Sequence, residues 1–62
     1  MDKAGEIDEA RSRAKQLLRK MDATEAARRM AAEFHICIYA VGGTIFGSYY
    51  ETDRAERVHP LN

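Results

Sequence analysis

The chain has no tryptophan, one cysteine and one proline in 62 residues, and its formal net charge is +0. A single cysteine excludes an internal disulfide framework. The balanced charge removes the overall electrostatic footprint of a nucleic-acid binder. The chain is short enough for one domain only, and domains of this size bury about 60% of the surface their unfolded chains expose. The core is therefore small, and a partner or a second copy is a ready way to complete it. At 45% hydrophobic residues the composition is too apolar for a disordered chain. No apolar run follows the charged start, Met1 to Glu6, so no secretory signal is read there. Asp2, Glu6, Asp8 and Glu9 do not suit an organelle transit peptide. His59-Pro60-Leu61-Asn62 matches no lipidation or retention signal. The expected compartment is the cytoplasm, with Cys37 a reduced thiol.

What is present divides into two kinds of sequence. Residues 1–33 hold eight Lys/Arg and seven Asp/Glu, whereas residues 34–50 hold none. The first part is rich in Ala, Glu, Arg, Lys, Leu and Met, the strong helix formers. Ile7, Ala10, Ala14, Leu17, Leu18 and Met21 recur at three- and four-residue spacing and make one face. Acidic residues crowd the start and basic ones the end, which suits a helix dipole. Glu9 and Arg13 form an i,i+4 pair in the favourable order. Asp22-Ala23-Thr24-Glu25 fits a capping box, with Asp22 as N-cap and Glu25 reaching back. The pattern predicts a first helix over about 3–20 and a second over about 23–33, with one kinked helix as the alternative. Ala27, Met30, Ala31 and Phe34 share a face of the second.

The uncharged segment, Phe34 to Tyr50, admits two readings. In the first it is a two-stranded antiparallel β-hairpin over about 34–51. Its β-branched and aromatic residues favour strands, and Gly42-Gly43 supplies the positive φ values of a tight turn. The register then pairs Val41 with Thr44, Ala40 with Ile45, Tyr39 with Phe46, Ile38 with Gly47 and Ile36 with Tyr49. One face holds Phe34, Ile36, Ile38, Ala40, Ile45 and Tyr49. The other holds His35, Cys37, Tyr39, Val41, Thr44, Phe46, Ser48 and Tyr50. Gly47 opposite Ile38 marks a bulge or a close approach. Thr52 then reads as the N-cap of a short C-terminal helix over about 53–58, ended by Pro60.

In the second reading the 17 uncharged residues form a membrane-spanning helix, with the N-terminus on the positive-inside side. Gly43-Thr44-Ile45-Phe46-Gly47 is then a GxxxG packing motif. Gly43, Phe46, Gly47 and Ser48 resemble the Gly-x-x-aromatic-Gly-small motif in the single span of the membrane subunit e of mitochondrial ATP synthase. The resemblance covers six residues and implies an accessory subunit of a respiratory or ATP synthase complex. The hairpin is preferred, because His35, three tyrosines, Ser48, Thr44 and three glycines depress the hydropathy that insertion requires. Gly47→Leu separates the readings: it disrupts assembly in a membrane but only strains an edge strand in a hairpin.

The overall expectation is an α+β domain of two N-terminal helices, a hairpin and a short C-terminal helix. His35 and Cys37 share a strand face, but their spacing matches no zinc pattern. Nor does Gly42-Gly43-Thr44 have the lysine and spacing of a phosphate-binding loop. Neither metal, cofactor nor catalysis is expected. Arg11, Lys15 and Arg19 make a basic stripe on the first helix, open to an acidic protein surface or to phosphates. Tyr39, Phe46 and Tyr50 cluster on the hairpin face turned from the helices, unless the first helix folds over it. Left open, this face is an apolar patch of the kind that marks an interaction site. The expected function is a non-catalytic interaction module, a homodimer or a regulator or inhibitor that binds a larger macromolecule. Tyr39, Phe46 and Tyr50 are its main contacts, with Arg11, Lys15 and Arg19 as polar ones. A small nucleic-acid binder using the basic stripe is the further alternative.

Overall fold

A computed structural model describes residues 3–62. The elements are α1 (Lys3–Leu17), α2 (Ala23–Glu33), β1 (Cys37–Val41), β2 (Thr44–Tyr50) and β3 (Glu56–Pro60). The strands form one antiparallel sheet in the order β1-β2-β3. Both helices pack on one face of it: α2 chiefly over β1, and α1 against α2 and β2.

The helices follow from their periodic apolar residues. Ile7, Ala10, Ala14 and Leu17 are the buried residues of α1, and Ala23, Ala26, Ala27 and Met30 those of α2. Most are alanines, so the two helices approach closely at little side-chain entropy cost. Leu18 to Met21 lie beyond α1 in a turn, where Lys20 and Met21 both donate to the Leu17 carbonyl. The first helix is thus three residues shorter than the composition predicts. The Asp22 carboxylate accepts from the Glu25 amide at 2.9 Å and caps α2, as expected. The Glu25 carboxylate pairs with Arg29. Arg13 does not take Glu9 as its partner. It donates through two nitrogens to Glu33 at 2.9 and 3.0 Å, fastening α1 to the end of α2.

This bridge gives a pH dependence. The Arg13 guanidinium, hydrogen-bonded to Glu33, lowers the carboxyl's pKa below its ordinary value. A carboxylate with a depressed folded-state pKa contributes stability above its unfolded value, and that contribution is lost as pH falls through the folded one. Glu33→Gln is therefore expected to melt below the parent chain at neutral pH. The gap should close in acid, below the ordinary carboxylate range, and paired thermal melts across pH check it.

Residues 34–50 hold two strands and a turn, not a helix, and no helix among the described residues is long and apolar enough to cross a membrane. Gly43 lies in the turn and Gly47 within β2, so they do not line a helix face as the GxxxG reading requires. Gly42 (φ 58°) and Gly43 (φ 87°) make the expected left-handed turn. The pairs Val41–Thr44, Ala40–Ile45, Tyr39–Phe46 and Ile38–Gly47 are in the expected register. Pairing starts at Cys37–Ser48, so Ile36 lies outside β1 and does not pair with Tyr49. Ile36 is nonetheless buried in the core.

The predicted C-terminal helix is absent. Thr52 caps no helix, Arg54 has a φ of 63°, and Glu56–Pro60 forms a third strand. The Asp53 carboxylate accepts from the Ala55 amide, Arg54 donates to the Glu51 carbonyl, and Glu51 donates to Ala55. These bonds close a turn that helical backbone would break. Arg57 pairs with both Glu51 and Asp53 across the hairpin mouth. Pro60 ends an outer strand, where its missing N–H costs nothing in the ladder. The third strand makes β2 central, so Gly47 is not on an edge. A Cβ at Gly47 would lie 3.1 Å from Ile7 Cδ1, 3.2 Å from Ile36 Cδ1 and 3.4 Å from Leu61 Cδ1. The glycine is the floor on which α1 rests.

The last two residues finish the sheet. Leu61 is 2% exposed and donates its amide to the Ile45 carbonyl. The Asn62 side chain accepts from the Ile45 amide at 2.6 Å and donates to the Gly43 carbonyl at 3.2 Å. The β2 backbone beyond the end of β3 is thereby satisfied.

Candidate interaction face

Directly paired residues of antiparallel strands share a face. The pairs Cys37–Ser48–Val58 and Tyr39–Phe46–Pro60 therefore lie together on the side away from the helices, with Val41, Thr44, Tyr50 and Glu56 around them. No element of the described residues covers this side. Tyr39 is 39% exposed, Val41 61%, Tyr50 62% and Val58 45%. Both helices pack on the other face, so of the two arrangements the sequence leaves open, a bare face or one covered by the first helix, the structure has the bare one. It is broader than a hairpin provides, because β3 adds Val58 and Pro60.

The face has a defined interior geometry. The Tyr39 and Phe46 rings stack with centroids 5.6 Å apart and planes 23° apart. Phe46 is half-buried in this arrangement. Ser48 is 5% exposed at the centre, screened by its bulkier neighbours. Tyr50 stands at one corner beside Glu56, its paired residue on β3. A hydrogen bond to the Glu56 carboxylate, and that carboxylate's charge, raise the Tyr50 pKa above the ordinary phenol value. The phenol keeps its proton through neutral pH and remains a hydrogen-bond donor. Cys37 is exposed on the same face as a free thiol.

The basic residues do not join this face. Arg11 lies on α1 and reaches Asp8 and the Pro60 carbonyl, both at 3.4 Å. Lys15 is exposed on α1, and Arg19 lies in the turn after it rather than on the helix. The stripe is thus broken at its third member. His35 precedes β1 and donates its amide to the Glu6 carboxylate, so it does not share a strand face with Cys37. Among the described residues no group of three His, Cys, Asp or Glu side chains could hold a metal ion. A shallow hollow of about 320 Å3 lies between the start of α1 and the end of β2, lined by Lys3, Ala4, Tyr49, Tyr50, Glu51 and Thr52. On the covered side of the sheet, Tyr49 stacks on His59 at 5.8 Å.

Comparison with known protein families, with curated proteins and with solved structures finds no match to this chain.

Proposed function

We propose that this chain is a non-catalytic protein-interaction module that binds its partner through the open face of the sheet. The observation that supports it is the exposure of Tyr39, Val41, Tyr50 and Val58 together, on one side of a sheet whose other side is filled. Tyrosine is among the residues that carry interface energy, because it combines a large apolar ring with a polar tip at low entropic cost. The Tyr39–Phe46 stack is the anchor, Tyr50, whose hydroxyl hydrogen goes to Glu56, offers its ring and an accepting phenol oxygen, and Val41 and Val58 extend the apolar area. Arg11, Lys15 and Arg19 lie apart from this face, and any contact they make is a separate one.

The test uses a photo-reactive phenylalanine analogue in place of Tyr50, and in a second variant in place of Arg28 on the exposed side of α2. Irradiation in the source cell is expected to give a discrete protein adduct from position 50 and none from position 28. The substitutions Tyr39→Ser and Phe46→Ser together should abolish that adduct while the circular dichroism spectrum stays unchanged. Equal adducts from both positions, or an adduct indifferent to the double substitution, would remove the open face as the binding surface.

A further inference from the structure

We propose that β1 is a self-association edge, at which two copies of the chain pair antiparallel about a two-fold axis through Tyr39. The inference concerns the strand edge and goes beyond the use of the open face.

The two outer strands of the sheet are treated differently by the sequence. β3 carries Glu56, Arg57 and Pro60, the charges and proline that keep foreign strands off an edge. β1 is Cys37-Ile38-Tyr39-Ala40-Val41, without charge, proline or glycine. Its outward backbone groups follow from the register. The Ile45 carbonyl accepts from Leu61, so the backbone of Ile45 faces β3. Its partner Ala40 therefore turns its N–H and C=O away from β2, and by the two-residue alternation Ile38 does the same. Two residues symmetric about Tyr39 thus present donors and acceptors that nothing among the described residues takes up, along an unguarded strand.

A second copy satisfies them completely. With Tyr39 facing Tyr39 of the other copy, Ile38 and Ala40 exchange both hydrogen bonds with Ala40 and Ile38 across the axis, using the whole strand. Every residue brought together is uncharged, and the chain's net charge of +0 sets up no repulsion between copies. The helix above this edge also permits it. Glu33 marks the flank of α2 that is tied to α1. At 100° per residue the opposite flank carries Thr24 and Ala31, both small, with the exposed Arg28 on its outer shoulder, turned toward solvent rather than toward the sheet edge. The two three-stranded sheets then form one, and their open faces become continuous. A face of three strands spaced about 4.8 Å apart measures a few hundred Å2. A standard interface takes about 800 Å2 from each partner, so pairing brings the face nearer the area it needs.

The register makes a covalent prediction. Cys37 would stand opposite Val41 of the other copy in a non-hydrogen-bonded pair, with Cα atoms about 4.5 Å apart, inside the range a disulfide spans. Cys37 and Cys37 of the other copy would be offset by four residues, on the order of 14 Å, and would not bond. Under mild oxidation V41C should convert to a disulfide dimer of twice the chain's 7.0 kDa, read on a non-reducing gel. The parent chain and V58C, whose new thiol lies on the β3 side of the face, should remain monomeric on that gel. Val41 is largely exposed, so the substitution leaves the core untouched. V41C remaining a free thiol would overturn the proposal, as would equal cross-linking of the parent chain or of V58C. Because the pairing uses the edge, that failure would leave the Tyr50 adduct experiment unaffected.

Discussion

Gly47→Leu is expected to remove about 1–3 kcal/mol of stability, a large part of what a domain of this size has. The site has no room for a side chain, since even a Cβ would lie 3.1 to 3.4 Å from the terminal carbons of Ile7, Ile36 and Leu61. A methyl group could be met by small rotations of these flexible ends, but the three further carbons of leucine could not. Overpacking of a filled core costs about 1–3 kcal/mol, occasionally more. Replacing glycine within a strand returns at most about 1 kcal/mol of strand propensity. A domain of 62 residues has about 3–9 kcal/mol to lose, at roughly 0.05–0.15 kcal/mol per residue. A urea titration followed by circular dichroism checks this. A midpoint equal to that of the parent chain would show that α1 does not rest on β2.

The second large effect is expected at Leu61→Ala. Leu61 is 2% exposed and fills the same contact from the end of the chain. Truncating a buried leucine to alanine costs about 2–5 kcal/mol, depending on how far the surroundings collapse into the cavity. Leu61 meets Ile7 of α1 and Ile36 over Gly47, on a central strand held by ladder bonds on both sides, so collapse is limited and a value in the upper half is expected. The two substitutions are coupled, because one adds volume where the other removes it. The double variant Gly47→Leu/Leu61→Ala should be more stable than the sum of the single losses predicts, by about 1 kcal/mol or more. Strict additivity, measured by denaturant titration of all four proteins, would mean that the two side chains do not share a space.

The parts of this fold that were legible in the sequence are those fixed by local chemistry. Two adjacent glycines with no competing turn nearby determine the hairpin register to the residue. The three-four spacing of Ile7, Ala10, Ala14 and Leu17 and the cap at Asp22 locate the helices. The third strand was hidden for a physical reason. Thr52-Asp53-Arg54-Ala55-Glu56-Arg57 has the cap, the charges and the alanine of a helix start, and within Glu56–Pro60 only Val58 and Pro60 interrupt the charged and polar residues. What makes it a strand is the unpaired edge of β2, a non-local feature that outweighs propensity. Leu61 and Asn62 were missed with it, since their roles exist only once β3 has brought them alongside Ile45.

The candidate face was legible to the same degree. The alternation in the hairpin placed Tyr39, Phe46 and Tyr50 together, and Val58 and Pro60 became visible only with the third strand. Whether a helix covered this face could not be read from periodicity, because α1 has one apolar stripe and two surfaces compete for it. The stripe goes to α2 and Gly47. The reason is steric: small residues on both helices and a bare glycine on the sheet let three elements meet closely, which the aromatic face does not allow.

The measurement that tests the account most directly is the NMR relaxation of side-chain protons by a soluble, neutral gadolinium chelate. Ring protons of Tyr39 and Tyr50 and the methyls of Val41 and Val58 should relax strongly with added chelate. Methyls of Ile45, Leu61 and Met30, on the filled side, should hardly respond. Strong shielding of Tyr39, Val41, Tyr50 and Val58 in the isolated chain at dilution would contradict the account, because something within the chain would then cover the face on which its function is proposed to rest.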